Sequence, residues 1–359
     1  MVRLTAANVN PPDREGVNES RKTQVARSAG AKTGRAPCYT GCMSAYLARR
    51  LLAVVPVLLV ISLLAFALDA VTPGDPAYLL LQAAGRQNIT TEDLAAKRAE
   101  LHLDDPLPVR YLTWLGSALR GDFGRSFRSY TPVTQLYGER IGNTALLALV
   151  AVLIGVVLAL PLGTLAACRH GGATDRLAQV VAVVGSAVPG FWIALVFIFF
   201  LSAQWRLLPV FGAPNPKGIV LPAIVLSLST IPTLTRLTRA AVLDILGQEF
   251  VTVARAKGLT WSGVALRHVL PNALVPVVTL LGLEAASLMT GAAVVEYVFA
   301  WPGIGKMAVD AALLRDTPVV VGFAVAAGLI YVGMNLLVDM FVAALDRRIA
   351  AQWRADMRP

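Results

Sequence analysis

Hydrophobic positions along this chain gather into long unbroken runs separated by short polar segments, a pattern that belongs neither to amphipathic surface helices nor to alternating strands. A helix of roughly 20 apolar residues crosses the hydrocarbon core of a bilayer. Six runs reach or approach that length: Leu51–Val71, Thr144–Ala167, Leu177–Ala203, Ile219–Leu234, Leu274–Val298 and Pro318–Leu345. The fourth is short and is broken by Pro222 and Pro232, so hydropathy makes it the weakest of the six. The expected architecture is an all-α integral membrane protein with six transmembrane helices, its membrane domain spanning 43–350.

The polar segments are unequal. Between the first two spans, Thr72 to Asn143 carries eight basic and eight acidic residues and is expected to form an extracytoplasmic insertion, 72–143. Within it Pro73-Gly74-Asp75-Pro76 and Gly121-Asp122-Phe123-Gly124 mark turns, and Glu92 to Leu103 reads as an amphipathic helix capped by Thr91. Such a segment either caps the membrane domain or receives a partner. Residues 1–42 hold too few large apolar side chains to bury a core and are expected to be disordered. Met43 opens MSAYLARRLL, which reads as an alternative start and would make the preceding tract a mis-assigned extension. Residues 351–359 form a short tail.

Composition agrees with a polytopic membrane protein: 359 residues, 56% hydrophobic and 15% charged, with a mean hydropathy of +0.63. Lys and Arg in short loops set orientation. Segments 169–176, 236–268 and 346–359 carry eleven of them, whereas 204–217 and 299–317 carry four. The first set is therefore cytoplasmic, and both termini follow it. The net charge of +10 records this topology and the basic N-terminal tract, so nucleic-acid binding is not needed to explain it. Cys38, Cys42 and Cys168 all fall on the cytoplasmic side, where no disulfide framework is expected.

The cytoplasmic loop 236–273 carries the most specific pattern. Glu249 to Lys257 contains good helix formers, and Gly258 is placed to end that helix and turn the chain. A short helix followed by a glycine turn makes a protruding knob. Arg255, Lys257 and Arg267 keep it in water, while Val251, Ala254 and Leu259 offer apolar contacts to a groove on another protein. The plainer alternative is a solvated positive-inside loop.

Catalytic chemistry is not in view. No G-x-x-x-x-G-K-[ST] motif occurs; Gly303-Ile304-Gly305-Lys306-Met307 lacks both the upstream Gly and the Ser or Thr for magnesium. His102, His170 and His268 are scattered, with no cysteine pairs, so no metal site is expected. Inside the spans, Glu284 falls about 15 Å from Leu274, near the bilayer midplane. It either faces a translocation path, with Ser287, or hydrogen-bonds a neighbouring helix. Asn335 and Asp339 share one helical face and either line the path or lock helices together. Glu296 lies near the outer end of its span, and Gly282, Ser287, Gly291 and Ala292 permit close helix approach.

Several short motifs occur in a fixed order: Tyr46-Leu47-Ala48-Arg49-Arg50-Leu51, Pro73-Gly74-Asp75-Pro76, Leu103-Asp104-Asp105-Pro106 and Gly121-Asp122-Phe123-Gly124, then Ser186-Ala187-Val188-Pro189-Gly190-Phe191-Trp192. Ala254-Arg255-Ala256-Lys257-Gly258-Leu259, Glu296-Tyr297-Val298-Phe299, Pro302-Gly303-Ile304-Gly305 and Arg315-Asp316-Thr317-Pro318 follow. Over roughly 43–350 the chain resembles the permeases of the peptide and nickel ABC importer family, of the dipeptide or oligopeptide B-subunit type. Ala254, Gly258, Leu270 and Pro271 fall at the spacing of that family's cytoplasmic loop signature, with Thr252, Val253 and His268 departing from it. Asp346-Arg347-Arg348-Ile349 departs from the family's Asp-Pro-Arg-Ile.

The resemblance implies a type I importer permease fold in the cell membrane that pairs with a second homologous permease. It implies two ATP-binding subunits docked at Val251, Ala254, Arg255, Lys257, Gly258 and Leu259, which alone bind ATP and magnesium, and an extracytoplasmic solute-binding protein that delivers cargo. This chain would then hold no cofactor and perform no bond chemistry. Peptides are the implied cargo, with glutathione or nickel chelates as alternatives. A different class, the ion-coupled secondary transporter, would rest on Glu284 and leave the knob unexplained.

Overall fold

The computed structural model describes residues 39–345 apart from 72, 87 and 210–215. The expected tract 1–42 falls outside it up to residue 38, and the tail 351–359 lies outside it entirely. The backbone divides into two units between Leu51 and Leu52. Of the first, the described part is the opening of helix α1 (Tyr39–Val71), which therefore begins within the tract expected to be disordered. All that follows concerns the second. Among the described residues the structure is helical, with one isolated antiparallel bridge, Arg125 to Pro132.

Four helices are long and apolar enough to span a membrane: α5 (Val133–Cys168), α8 (Val220–Leu246), the helix ending in α11 (Leu270–Gly291) and α14 (Thr317–Leu345). The expected single span Leu177–Ala203 is instead a bent pair, α6 (Ala173–Ala187) and α7 (Gly190–Phe197, continued as π-helix through Gln204), with 94° between its halves. The residue before a proline is driven out of the helical region, and Val188, before Pro189, is extended at φ −92° and ψ 125°. The expected span Leu274–Val298 also divides: α11 ends at Gly291, and α12 (Ala293–Val298) starts afresh after the off-helix joint at Ala292 (ψ −3°). The apolar part of α1 is Leu52–Leu68.

The run that hydropathy ranks weakest forms the most enclosed helix. Of the membrane-crossing stretch of α8, 61% is buried inside the chain, against 22–28% for the other three. Its Ser227, Thr230, Thr235 and Thr238 are buried against protein. Lipid tails are as apolar as leucine, so helices associate through close packing at small residues. A Cβ at Gly163 of α5 would lie 2.7 Å from Thr238 Cβ and 2.8 Å from the Thr235 carbonyl oxygen of α8. Leu147 and Ala151 of α5, Leu221 and Val225 of α8, and Phe299 and Trp301 form one apolar core; Ala159, Leu234 and Val277 form another.

Residues 76–118 fold as three short helices, α2 (Pro76–Ala83), α3 (Thr91–Glu100) and α4 (Leu107–Ala118). Thr90, not the expected Thr91, caps α3: its hydroxyl accepts from Asp93 N at 3.1 Å while the Asp93 carboxylate accepts from Thr90 N at 3.3 Å. The helix stops at Glu100, short of the expected Leu103, and His102 two residues on takes a left-handed φ of 51° that no helix continues through. Two residues before α14 hold this segment. Arg315 donates to the Gly74 carbonyl, and the buried Asp316 carboxylate accepts from Ser126 Oγ at 2.5 Å and Phe127 N at 2.9 Å.

A second buried carboxylate explains Glu296 and the Pro302-Gly303-Ile304-Gly305 motif together. Glu296 is fully buried; Oε1 accepts from Thr144 Oγ1 at 2.7 Å and Oε2 from Lys306 N at 2.9 Å. Thr144 in turn accepts from Ile304 N at 2.9 Å, at the start of α13 (Ile304–Leu313). Trp301 Nε1 donates to the Asn143 carbonyl, and Asn143 Nδ2 to the Pro302 carbonyl. Glycine is required at 303, since a Cβ there would sit 2.3 Å from both carboxylate oxygens of Glu296. Overpacking of this kind costs about 1–3 kcal/mol. We therefore expect Gly303→Ala to lower the melting temperature in detergent, whereas Gly291→Ala, where nothing lies within 4 Å, leaves it unchanged; equal melting temperatures would remove the knot from the account.

Candidate functional site: a cytoplasmic knob and the polar residues of the spans

Helix α8 ends at Leu246, Gly247 closes it, and the extended Gln248 (ψ 146°) starts α9 (Glu249–Ala256). Gly258 follows in the left-handed region at φ 82°, its N–H donating to the Arg255 carbonyl at 3.0 Å. That conformation strains any residue with a Cβ. Thr260 then caps α10 (Trp261–Val264) through its hydroxyl, which accepts from Gly263 N at 3.3 Å. The Arg255 guanidinium lies 5.6 Å above the Trp261 ring, so a cation–π contact ties the two arms of the turn.

Burial divides the expected docking residues. Val251 and Ala254, one helical turn apart, are buried against Ala241, Val242, Val264, Val269 and Ala273. They shape the knob from inside and present no surface to a partner. Arg255, Lys257, Gly258 and Leu259 are exposed. The open apolar face also includes Phe250, Val253 and Trp261, which sequence reasoning passed over. The signal was present: 250 and 253 share an i, i+3 stripe distinct from that of 251 and 254.

A further pair behind the knob was also missed. Arg239 of α8 grips Asp175 of α6 in a bidentate contact, Nε to Oδ1 at 2.6 Å and Nη2 to Oδ2 at 2.9 Å. Gly171 N and Gln179 Nε2 complete the carboxylate's partners at 2.9 and 3.0 Å. The Asp175 side chain is buried, so α6 and the part of α8 that leads into the knob are fastened together. An acid at the start of an apolar run needs such a partner, and that requirement was legible.

The expected path residues lie on two helices, α11 and α14. Glu284 is half-buried on α11 and has no hydrogen-bond or ion-pair partner among the described residues; Ser287, on the same helix, is exposed. On α14 the buried Asn335 Oδ1 also lacks a partner, while Asp339 is engaged. The two helices meet closely, a Cβ at Gly282 falling 1.8 Å from Val338 Cγ2. Among the described residues no three His, Cys, Asp or Glu side chains group to hold a metal ion.

Two family models match this chain: the binding-protein-dependent transport system inner membrane component over residues 159–351, and the N-terminal part of such membrane components over 43–148. The oligopeptide transport system permease protein AppB of Bacillus subtilis is 37% identical over 318 residues, covering 86% of this chain and 99% of that one. The dipeptide transport system permease protein DppB of Escherichia coli is 34% identical over 338 residues, with the same coverage. The glutathione transport system permease protein GsiC of Pectobacterium atrosepticum is 36% identical over 304 residues, covering 85% and 98%. Among solved structures, a chain of the MetNI methionine ABC transporter in an inward-facing conformation shares the fold at a TM-score of 0.51 and 19% identity, covering 59% of this chain and 97% of that one. With both family models matched along the chain and these relatives aligned over almost their whole length, the chain belongs to the family of binding-protein-dependent transport system inner membrane components, the multi-pass permease subunits of ABC importers.

Proposed function

We propose that this chain forms, with a second homologous permease, the membrane path of an ATP-driven importer of peptides or peptide-like solutes, delivered by an extracytoplasmic solute-binding protein. Two ATPase subunits dock on the knobs of the two permeases and bind ATP and magnesium. The observation that carries this reading is the knob itself: a helix, a left-handed glycine and a capped second helix that leave Phe250, Val253, Leu259 and Trp261 exposed between two spans. An exposed apolar group of that kind marks an interaction site. The peptide assignment rests on the names of AppB and DppB, and GsiC keeps glutathione within the same class. Nickel chelates remain the alternative cargo.

Six spans follow when α1, α5, the bent α6–α7 pair, α8, α11 and α14 are counted. Both termini then lie in the cytoplasm, and residues 72–143 face the binding protein as an insertion between the first two spans. ATP binding draws the two ATPases together and pulls the knobs with them. The movement passes into α8, which is continuous with the knob, and into α6 through Arg239 and Asp175, so the path switches its side of access as packed helices turn. The uncommitted carboxylate of Glu284 is the one feature that an ion-coupled secondary transporter would use.

Gly258→Asp places a charged side chain at φ 82° on the tip of the knob. It should leave membrane abundance unchanged and abolish ATP-dependent uptake; undiminished uptake would dismiss the docking role. Glu284→Gln should alter cargo affinity or preference, read as the KM for cationic against neutral peptides, while abundance stays the same. A fall in abundance with unchanged preference would make Glu284 a structural residue.

A further inference from the structure

The segment outside the spans contains a cavity of about 650 Å³ that the transport mechanism leaves unused. This volume lies within the range of small-molecule sites, roughly 300–1,000 Å³. One wall is aromatic and anchored. Phe66 of α1 is buried with its ring 5.4 Å from both Tyr111 and Trp114 of α4, and Trp114 Nε1 donates to the Phe123 carbonyl at 3.3 Å. Phe127 and Tyr130 bring two more rings to the lining, and Thr317 and Pro318 close it at the start of α14. Asp316, next in sequence to Thr317, fixes the Ser126–Arg128 turn through its buried carboxylate, so this loop is preformed.

Charges of both signs line the cavity, and their commitments differ. Glu100 accepts from Tyr130 Oη at 2.7 Å and from Lys97 Nζ at 3.0 Å, and these contacts hold its carboxyl below the usual range. Asp122 Oδ1 accepts from Gly124 N at 2.9 Å, and Asp105, half exposed, stands 3.6 Å from His102 Nδ1. Arg125 donates to the Tyr130 carbonyl at 3.1 Å. The guanidinium of Arg110, a half-buried residue, has neither a hydrogen bond nor an ion pair with any described residue. A guanidinium offers a planar fork of donors matched to a carboxylate.

We propose that this cavity is a binding site for a small carboxylate carrying an aromatic or apolar body, such as the carboxy-terminal residue of a short peptide. The carboxylate pairs with Arg110 and the body lies against Phe66, Trp114 and Phe127. The site is separate from the membrane path and from the knob, and its ligand chemistry comes from its own lining.

The test uses the full chain in lipid nanodiscs, without binding protein or nucleotide, and equilibrium dialysis against radiolabelled alanyl-phenylalanine. Saturable binding is expected, with alanyl-phenylalanine amide competing about tenfold more weakly, since the amide removes the charge-assisted contact. Arg110→Gln should weaken binding by a similar factor, about tenfold. Arg120→Gln, an exposed arginine outside the lining, should leave it unchanged. No saturable binding up to about 10 mM, far weaker than a preformed pocket with a paired carboxylate should show, would overturn the proposal. Binding indifferent to Arg110→Gln and to the amide would overturn it equally. Uptake by the complete importer, measured in parallel, separates this proposal from the transport function: uptake without nanodisc binding sinks only the cavity.

Discussion

The close approach of α5 to α8 is the contact on which the rest of the fold depends. Hydrocarbon surroundings give apolar helices no reason to leave lipid for one another, so association rests on how near two backbones come. Gly155 and Gly163 of α5 remove the side chains that would hold α8 away, and Thr230 and Thr238 fill the space. With α8 held at the centre, α6, α7, α11 and α12 all pack against it. The knob continues α8 beyond Gly247, so the same contact that builds the core sets the position of the surface that partners would grip.

Acidic residues are used in two opposite ways. Asp175, Glu296 and Asp316 are buried, and each accepts from backbone or side-chain donors of another part of the chain. A carboxylate removed from water is tolerable when its oxygens are satisfied, and removing a partner then leaves an uncompensated charge. These three therefore act as fasteners. Glu284 has no such set of donors, although it lies in the middle of a span. An unfastened acid in that position contributes nothing visible to the fold among the described residues.

Much of this was legible in the sequence, and the failures have physical causes. Long apolar runs located the spanning helices because length and apolarity are all that a bilayer demands. Hydropathy ranked Ile219–Leu234 last because it measures transfer into lipid, whereas α8 is surrounded by protein and can carry Ser227, Thr230 and Pro232 there. The bend at Val188–Pro189 had its signal in the X-Pro pair, but the apolar run continues across it unchanged. The break at Ala292 has no such mark, since Gly291 and Ala292 read equally well as a packing face. In the knob, Gly258 was placed correctly by its chemistry, while Val251 and Ala254 were given to the surface because small apolar residues next to arginines do not reveal which way they turn.

The central claim is that the knob exists to be held by another protein. The most direct measurement is purification of the tagged chain from its own membranes in mild detergent, with mass spectrometry of every protein that accompanies it. Stoichiometric recovery of a second permease of this family together with subunits bearing the nucleotide-binding motif absent here is the predicted result. A stable, well-folded chain recovered alone from intact membranes would contradict it.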